Sequence, residues 1–490
     1  MDLVGSHVEP GPYDLAVVGA GAAGLNALAV AGKYLGKDQR VLLIDRRGRA
    51  GGMWVDTYPY VRLHQPHRFF TAADIKWKLG AERSYLATKG EVLDHLSYCV
   101  EVVRGQVELD EWLGTELVAD EAGRDSIRLT CRSAEGETRV AETRRLIKAP
   151  GLAIEPNQPL SVSSDRVHSV SPDFCDVRTG EIAASDAPVW VVGGGKTAMD
   201  TAHALITSRP GREVNILTGT GTFFTSRDKA FPTGARRWWS GRRGIPTFLE
   251  WARRFDGTNE RETMDWYRST IGIAPTDGAR NFVFGLLSEA EAGVIRAGVS
   301  EMVGDHLLDA VDHGEEVELQ LRSGATRRIR PGSWLVNCTG YVFGERLRER
   351  PYEPYVSAGG RVGVVSPRAN IALLPSFAGY YLGHLMMLGR LGELPLYEFD
   401  GDELARQSRE AWACTAVTEQ LYNLSLIADD APREVLTQNG LNLDLWYPTP
   451  RFLLGAVQFA RAHRRERERW RQTLDRVGER FGVRCGPVVA

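Results

Sequence analysis

Two glycine-rich loops hold the residues with the clearest chemical meaning. Gly19, Gly21 and Gly24 follow the apolar run LAVV at residues 15–18, and a helical pattern comes after them. The first glycine permits a tight turn, the second lets the backbone approach a pyrophosphate, and the third lets helix and strand pack closely. The next apolar run ends in Asp45, whose carboxylate can accept hydrogen bonds from ribose hydroxyls. This pattern predicts a dinucleotide bound at a helix N-terminus.

The same order of strand, glycine loop, helix and strand recurs in the middle of the chain. Residues 189–192, VWVV, lead into Gly193 and Gly195, and Ala198 stands where a third glycine would be. A helical stretch and the strand VNIL at residues 214–217 follow. Two such units in one chain predict two bound dinucleotides.

The end of the second unit bears on which nicotinamide cofactor is bound. Thr218 occupies the position where an NAD site prefers an acidic residue, and this favours NADPH. A 2′-phosphate needs positive charge, and Arg227 with Lys229 is the nearest candidate pair. The alternative is that Arg227 is an ordinary loop arginine.

Length and composition limit the class of protein. A chain of 490 residues exceeds one ordinary core, so we expect two or three domains. Its 43% hydrophobic and 25% charged residues are typical of a globular protein, and a net charge of −3 gives no general attraction to nucleic acid. The arginine-rich run at residues 461–471 is interpreted as a solvated helix face, with a nucleic-acid patch as the alternative.

The six cysteines are scattered and form no CxxC or metal-ligand spacing, so neither a metal site, a disulfide framework nor a redox disulfide is expected. The first residues lack a secretory leader, which favours a cytoplasmic location. Residues 371–389 carry no charge, but Pro375, Gly379, Gly383 and His384 interrupt them, so we expect no membrane partner.

Further motifs point to a family. Gly51-Gly52-Met53-Trp54, residues 58–66 (YPYVRLHQP) and residues 88–98 (TKGEVLDHLSY) follow the first loop. They resemble segments of the class B flavin-dependent monooxygenases, the group of flavin-containing and Baeyer–Villiger monooxygenases. In that family a GG-x-W segment runs beside the flavin, and the polar residue two before the proline faces its reacting edge. In this chain that residue is His64.

Two later segments extend the resemblance. Residues 146–151 (LIKAPG) and 334–341 (WLVNCTGY) are similar to the two family hinges at which the chain crosses between its FAD-binding and NADPH-binding domains. The fingerprint FxGxxxHxxxW, expected between the two loops, is matched only by His168. This departure leaves the subfamily open.

The resemblance implies FAD at the first loop and NADPH at the second. His64 and Gln65 are the candidate catalytic residues. The residues expected to contact the cofactors are Gly19, Gly21, Ala22, Ala23, Gly24, Asp45, Arg46, Gly52, Met53, Trp54, His64, Val118, Gly193, Gly195, Lys196, Thr197, Ala198, Arg227, Thr339 and Gly340. A neutral His64 would hydrogen-bond the substrate or the reacting flavin, and a near-neutral pKa would make the rate pH-sensitive. The alternative is a structural histidine bonded to backbone. His384 is a further, weaker candidate.

The predicted fold is α/β, with two Rossmann-like dinucleotide-binding domains, the second inserted in the first. Residues 1–155 and 336–400 are expected to form the FAD-binding domain, with Gly379 or Gly383 bringing backbone close to the isoalloxazine. Residues 156–335 are expected to form the NAD(P)H-binding domain. Its tryptophan-rich helical insertion, about 231–300, either lines a substrate channel or simply packs. A helical region at 401–490 either packs over the active site or forms the face of a homodimer.

The implied reaction is oxygenation of a small organic substrate by molecular oxygen through a flavin hydroperoxide, with NADPH as reductant. N- or S-oxygenation, Baeyer–Villiger insertion and hydroxylation remain open. One alternative is an NAD(P)H:acceptor oxidoreductase or an amine-oxidising flavoenzyme without oxygen insertion, and another is a non-catalytic FAD-binding regulator. Arginine far outnumbers lysine, which suggests a GC-rich bacterial genome and a role in specialised metabolism.

Overall fold

The computed structural model describes residues 7–8, 11–152, 154–276, 278–340 and 349–489. Its strands are β1 (His7–Val8), β2 (Leu15–Val18), β3 (Arg40–Asp45), β4 (Glu108–Leu113), β5 (Thr115–Ala122), β6 (Ile127–Ser133), β7 (Thr138–Thr143), β8 (Leu146–Lys148), β9 (His168–Val170), β10 (Val189–Val192), β11 (Val214–Leu217), β12 (Phe224–Ser226), β13 (Gly272–Ile273), β14 (Leu286–Leu287), β15 (Glu301–Val303), β16 (Leu307–His313), β17 (Glu316–Leu321), β18 (Thr326–Ile329), β19 (Trp334–Asn337), β20 (Val356–Ser357), β21 (Val362–Val364), β22 (Tyr397–Phe399) and β23 (Cys485–Pro487).

The α-helices of the same residues are α1 (Ala22–Ala31), α2 (Lys89–Arg104), α3 (Gly180–Ala184), α4 (Lys196–Ser208), α5 (Arg227–Ala230), α6 (Gly244–Arg254), α7 (Glu260–Ile271), α8 (Glu289–Gly298), α9 (Pro375–Met387), α10 (Gly401–Gln407), α11 (Arg409–Asp430), α12 (Arg433–Thr437) and α13 (Thr449–Phe481). Short 3-10 helices cover Gly52–Val55, His67–Phe69, Gly234–Trp238, Ala358–Gly360 and Leu443–Trp446. None of the described helices is both long and apolar enough to cross a lipid bilayer.

The first sheet has the order β20-β21-β8-β2-β3-β4, and all its pairs are parallel except β20–β21. The chain leaves this sheet after β8 and returns to it at β20. Because β2 and β3 run side by side in parallel, their carboxyl ends bring the first glycine loop and Asp45 to one edge. That edge is where α/β sheets bind ligands.

The second sheet, β15-β11-β10-β19-β9, is parallel throughout. Its strands lie in the chain between β8 and β20 of the first sheet, so the second unit is inserted in the first. The α/β fold with two dinucleotide-binding units that the sequence predicted is confirmed. The domain limits at residues 155, 335 and 400 stay predictions.

The first glycine of each loop lies against the end of a neighbouring strand. A Cβ added to Gly19, whose φ is +106°, would lie 2.2 Å from the carbonyl oxygen of Ala149, just after β8. A Cβ added to Gly193, whose φ is +138°, would lie 2.3 Å from the carbonyl oxygen of Cys338, just after β19. Both contacts occur where the chain leaves one unit for the other, and only glycine tolerates them.

Two glycines of α9 have a different role from the one predicted. A Cβ on Gly379 would lie 2.0 Å from the carbonyl oxygen of Ala23, and one on Gly383 would lie 3.1 Å from the Cα of Ala27. Both glycines therefore face α1 and let the two helices cross closely. The expectation that they approach the isoalloxazine is wrong, since the space beside them is filled by α1.

Replacing Gly379 with alanine should lower the free energy of unfolding by about 1–3 kcal/mol, because the added methyl group overpacks a backbone contact. Gly293 is the matched control: it lies inside α8, and an added Cβ there would meet no atom within 4 Å. Alanine at that position should stabilise the protein by about 0.5–1 kcal/mol. Thermal unfolding of the two variants checks this, and equal shifts would contradict the close helix crossing.

The C-terminal region packs on the helical insertion. The indole nitrogen of Trp251 in α6 donates to the Cys414 sulfur in α11 at 3.3 Å. Arg253 forms an ion pair with Glu466 of α13, with 2.7 Å between its Nη2 and the carboxylate. The arginine-rich run lies on α13, where Arg464 and Arg467 contact Asp429 and Arg471 contacts Glu468 and Asp475. These ion pairs are typical of a charged helix face, which is how the sequence of this run was interpreted.

Candidate functional site

The first glycine loop forms a cradle at the N-terminus of α1. Gly21 precedes the helix, and no side chain caps it. A Cβ on Gly52 would lie 2.7 Å from the Cα of Gly21, so the two glycines lie back to back. The Gly51 amide donates to the Ala20 carbonyl at 2.9 Å and holds residues 51–54 beside the loop. The uncapped amides at this end attract an anion.

Asp45 lies beside this cradle at the end of β3. Its Oδ2 accepts from the Ala20 amide at 2.6 Å, and its Oδ1 accepts from the Arg47 amide at 2.8 Å. These bonds fix the carboxylate and leave it acceptor capacity toward a ribose.

A cavity of about 760 Å³ opens from the cradle. It has the size of a cofactor or ligand site in other proteins. The predicted residues that line it are Gly19, Gly21, Ala22, Ala23, Asp45, Arg46, Gly52, Met53, Trp54, His64, Gln65 and Val118. Gly24 does not line it: a Cβ there would lie 1.8 Å from the Gly19 carbonyl oxygen, in keeping with its expected role in helix–strand packing.

His64 is held as a neutral ring. Its Nδ1 accepts a hydrogen bond from the Leu286 amide at 3.0 Å, so the ring proton lies on Nε2. Burial, together with the nearby charges of Lys196 and Arg227, lowers the pKa of His64 to about 3. The expected near-neutral pKa is therefore wrong. His64 bonds to backbone through one nitrogen and also lines the cavity, so its catalytic role stays a prediction.

This pKa makes stability depend on pH. An unfolded histidine takes up a proton below about pH 6.5, whereas folded His64 stays neutral down to about pH 3, so stability is present above pH 6.5 and is lost as the pH falls. From pH 7 to pH 5 the wild type should lose about 2 kcal/mol more than His64→Gln. Urea unfolding of both proteins at both pH values measures this difference. Any effect of the substitution on stability that does not depend on pH cancels in the comparison. Equal losses would mean that His64 titrates normally.

Gln65 supplies an unused acceptor. Its Oε1 is buried and has no hydrogen-bond partner among the residues that the structure describes, and the residue lines the cavity. A buried amide oxygen without a partner costs free energy, so the atom indicates a donor supplied by a ligand.

The far half of the cavity was not predicted residue by residue. It is built by the insertion, the segment after it and the C-terminal region, and its large side chains are Phe231, Phe248, Tyr267, Ile271, Phe284, Leu286, Leu373, Leu441, Leu443 and Tyr447. The insertion tryptophans Trp238, Trp239, Trp251 and Trp266 do not line it. The C-terminal region thus contributes side chains to this cavity. This agrees with the alternative in which the region packs over the site, whereas the homodimer face stays a prediction. We call this half the apolar chamber.

The polar atoms in the apolar chamber already have partners. The Tyr267 hydroxyl lies 2.8 Å from the Thr225 hydroxyl, and the Tyr447 hydroxyl donates to the Ala230 carbonyl at 2.8 Å. Among the described residues that line the apolar chamber, the charged side chain is that of Arg242, which is exposed. Phe284 has a φ of +57°, a strained backbone conformation that functional sites retain.

The second loop repeats the cradle of the first. α4 begins at Lys196 with Gly195 before it and no side-chain cap, and Lys196, Thr197 and Ala198 form its first turn. Lys196 forms an ion pair with Asp200, to which the Tyr58 hydroxyl donates at 2.8 Å. Ala198 is fully buried, which fits the packing role of the third fingerprint position.

Thr339 and Gly340 are exposed at the end of β19, close to this loop. The Thr339 hydroxyl donates to Asn337 Oδ1 at 2.7 Å. Tyr341 of the hinge motif lies outside the described residues.

Arg227 and Lys229 have partners in other parts of the structure. Arg227 Nε donates to the His64 carbonyl at 2.9 Å, and its Nη2 contacts the Glu291 carboxylate. Lys229 donates to the Thr270 carbonyl at 3.2 Å. The role of Arg227 at a 2′-phosphate stays a prediction. His384 does not line the cavity: its Nδ1 lies 2.8 Å from the Tyr34 hydroxyl, so its candidacy as an active-site group is wrong.

None of the cysteines is set up as a reactive thiolate. Burial raises the pKa of Cys99 to about 11 and the pKa values of Cys131, Cys338 and Cys485 to about 12, and it also raises those of Cys175 and Cys414. No cysteine lines the cavity among the described residues. The same part of the chain brings no three His, Cys, Asp or Glu side chains together as metal ligands.

Residues 13–238 match the model of a family described as pyridine nucleotide-disulphide oxidoreductase. The matched residues include both glycine loops and the helices that follow them. The match covers slightly less than half of the chain, and most of the insertion and the whole C-terminal region lie outside it.

The chain is also similar to the uncharacterized protein Rv2000 of Mycobacterium tuberculosis, with 30% identity over 213 residues. That alignment covers 39% of this chain and 36% of the relative, so the chain matches about a third of the length of its curated relatives.

Several solved structures are similar to this chain at low sequence identity. The Staphylococcus aureus bacillithiol disulfide reductase Bdr has 12% identity and a TM-score of 0.46 over 78% of this chain and 99% of its own. The ornithine N-hydroxylase KtzI of Kutzneria sp. 744 has 16% identity and a TM-score of 0.45 over 83% of this chain and 99% of its own. Cyclohexanone monooxygenase has 14% identity and a TM-score of 0.47 over 94% of this chain and 99% of its own.

Proposed function

We propose that this chain is an NADPH-dependent FAD monooxygenase that oxygenates a neutral, largely apolar small molecule. The observation that carries this proposal is the apolar chamber, which shares one cavity with the glycine cradle and has no carboxylate among its described lining residues. A substrate seated in the chamber would lie directly beside whatever the cradle holds.

The first half of the cavity fits FAD. The paired glycines leave the space that a Cβ would fill, the uncapped end of α1 suits a pyrophosphate, and Gln65 Oε1 awaits a donor. Bound FAD would supply the redox chemistry, accepting a hydride from the nicotinamide and activating oxygen. The chain would contribute position, a dry surrounding and a neutral hydrogen-bond donor at His64 Nε2.

Disulfide reduction is the activity named by the matched family, and the cysteines do not support it here. Such a reaction needs a thiolate beside the flavin, usually from a CxxC pair. The sequence has no such pair, and burial raises the pKa of every cysteine. Molecular oxygen is therefore the better candidate acceptor.

The apolar chamber favours a neutral substrate over an amine cation. A buried ammonium group needs a carboxylate or several free acceptors, because burying a charge without a partner is costly. The hydroxyls of Tyr267 and Tyr447 are already bonded, and the chamber offers aromatic and aliphatic surface instead. Ketones, sulfides and activated aromatic rings meet this requirement.

NADPH is proposed over NADH because Thr218 leaves the strand end without the carboxylate that would repel a 2′-phosphate. The cation that would bind this phosphate is not assigned.

The test uses the purified holoenzyme with NADPH, oxygen and pairs of compounds of equal size, one a ketone or sulfide and the other a primary amine. We expect product formation coupled to NADPH consumption for the neutral member only. Release of hydrogen peroxide in place of product with every compound would instead support an oxidase or acceptor reductase. Coupled turnover of the amine alone would disprove the neutral-substrate assignment while keeping the monooxygenase.

A further inference from the structure

Two exposed apolar segments lie on the outer surface of the insertion and the C-terminal region. Trp238 and Trp239 are 58% and 70% exposed at the end of a 3-10 helix. Leu453 and Leu454 are each 53% exposed in the first turns of α13, and Val457 is 43% exposed one turn later. Large side chains with this exposure mark interaction surfaces when they cluster. We call these five residues the tryptophan–leucine patch.

Arginine contacts join the two segments. Arg451 at the start of α13 donates to the Arg237 carbonyl at 2.9 Å and to the Gly241 carbonyl at 3.3 Å. Arg243 donates to Gln458 at 3.4 Å. Segment 237–243 is therefore bound to the helix that carries the two leucines.

The rim of the patch is positive. Arg236, Arg237, Arg242, Arg243 and Arg461 belong to the same two segments. The nearby carboxylates are already used: Glu250 contacts Arg242 and Arg254, Asp444 is buried against the Gly244 amide, and Glu466 pairs with Arg253. Among the described residues, no carboxylate pairs with Arg236 or Arg461, although the whole chain has a net charge of −3.

The patch adjoins residues that line the cavity. Arg242 is exposed and also lines the cavity, and Ala230, Gly244 and Tyr447 of the adjoining segments line it as well. Molecules that collect at the patch would have direct access to the apolar chamber.

We propose that the tryptophan–leucine patch docks on the surface of an anionic lipid bilayer. Tryptophan rings settle at the level of lipid headgroups, leucines enter the upper acyl region, and arginines bind anionic headgroups. A second copy of the chain fits less well, because a twofold interface would place the same arginine rim against itself. Attachment of this kind needs no spanning helix, and it presents the cavity opening to molecules dissolved in the lipid.

The experiment is flotation of the holoenzyme with vesicles of phosphatidylcholine alone and with vesicles that also contain phosphatidylglycerol. We expect binding to the anionic vesicles that weakens with salt, and about 10-fold weaker binding of Trp238→Ser/Trp239→Ser and of Leu453→Ser/Leu454→Ser. Phe174→Ser/Leu308→Ser is the matched control, because these residues are 61% and 60% exposed elsewhere. FAD content and the unfolding temperature confirm that each variant is folded.

Absence of the wild-type enzyme from anionic vesicles at low salt would overturn the proposal, as would equal loss of binding in the control variant. A concentration-dependent dimer that disappears in the patch variants, without vesicle binding, would assign the surface to a second copy instead. None of these outcomes depends on which substrate is oxygenated, so the docking proposal and the proposed function fail separately.

Discussion

Replacing Gly19 with alanine should give a colourless protein whose free energy of unfolding is lower by more than about 4 kcal/mol. The φ of +106° costs an alanine about 1–3 kcal/mol by itself. The added Cβ would also lie 2.2 Å from the Ala149 carbonyl oxygen, so either the loop or the end of β8 has to move. Both lie on the lining of the cavity, and the displacement would destroy the cradle. Flavin absorbance of the purified protein and urea unfolding measure the two effects.

Gly48→Ala is the control for this prediction. Gly48 follows β3 within the same region, has no positive φ, and an added Cβ there meets no atom within 4 Å. That variant should remain yellow and equally stable. A yellow, stable Gly19→Ala protein would show that the contact between the loop and Ala149 does not define the site.

The sequence allowed prediction of the parts of the site that depend on local chain geometry. Gly19, Gly21 and Asp45 belong to one continuous strand–helix–strand segment, so spacing alone places them at one sheet edge. The second loop follows for the same reason. The inserted order of the two sheets also followed, because the hinge segments are recognisable from their residues.

Properties that depend on distant partners were not predictable. The low pKa of His64 arises first from burial and then from two cations of the other unit, Lys196 and Arg227. The ring is held by a bond to Leu286, which lies 222 positions away. Gly379 was assigned to the flavin because the sequence does not indicate which helix lies opposite it. The apolar chamber draws Phe231, Tyr267 and Leu441 from separate segments that share no motif, so only the fold brings them together.

The second glycine loop should tolerate alanine at Gly195 without loss of stability, yet bind NADPH more weakly. Gly195 has a φ that any residue adopts, and a Cβ added there meets no protein atom within 4 Å. Gly195→Ala should therefore fold normally, stay yellow and keep its unfolding temperature. If the NADPH pyrophosphate lies against this backbone, however, the methyl group will hold it off. We expect roughly 30- to 100-fold weaker NADPH binding, which corresponds to about 2–3 kcal/mol.

Reduction of the flavin at increasing NADPH concentration, followed in the absence of oxygen, measures this effect, and dithionite shows that the flavin itself remains reducible. Gly293→Ala is the control, because it adds a methyl group in open space outside both loops. Gly211→Ala is not suitable, because the φ of +84° at Gly211 would strain an alanine. A normal NADPH dependence in Gly195→Ala would mean that the nucleotide does not lie on the second loop. Since the substitution leaves the protein contacts unchanged, a loss of affinity reports the bound nucleotide rather than a damaged fold.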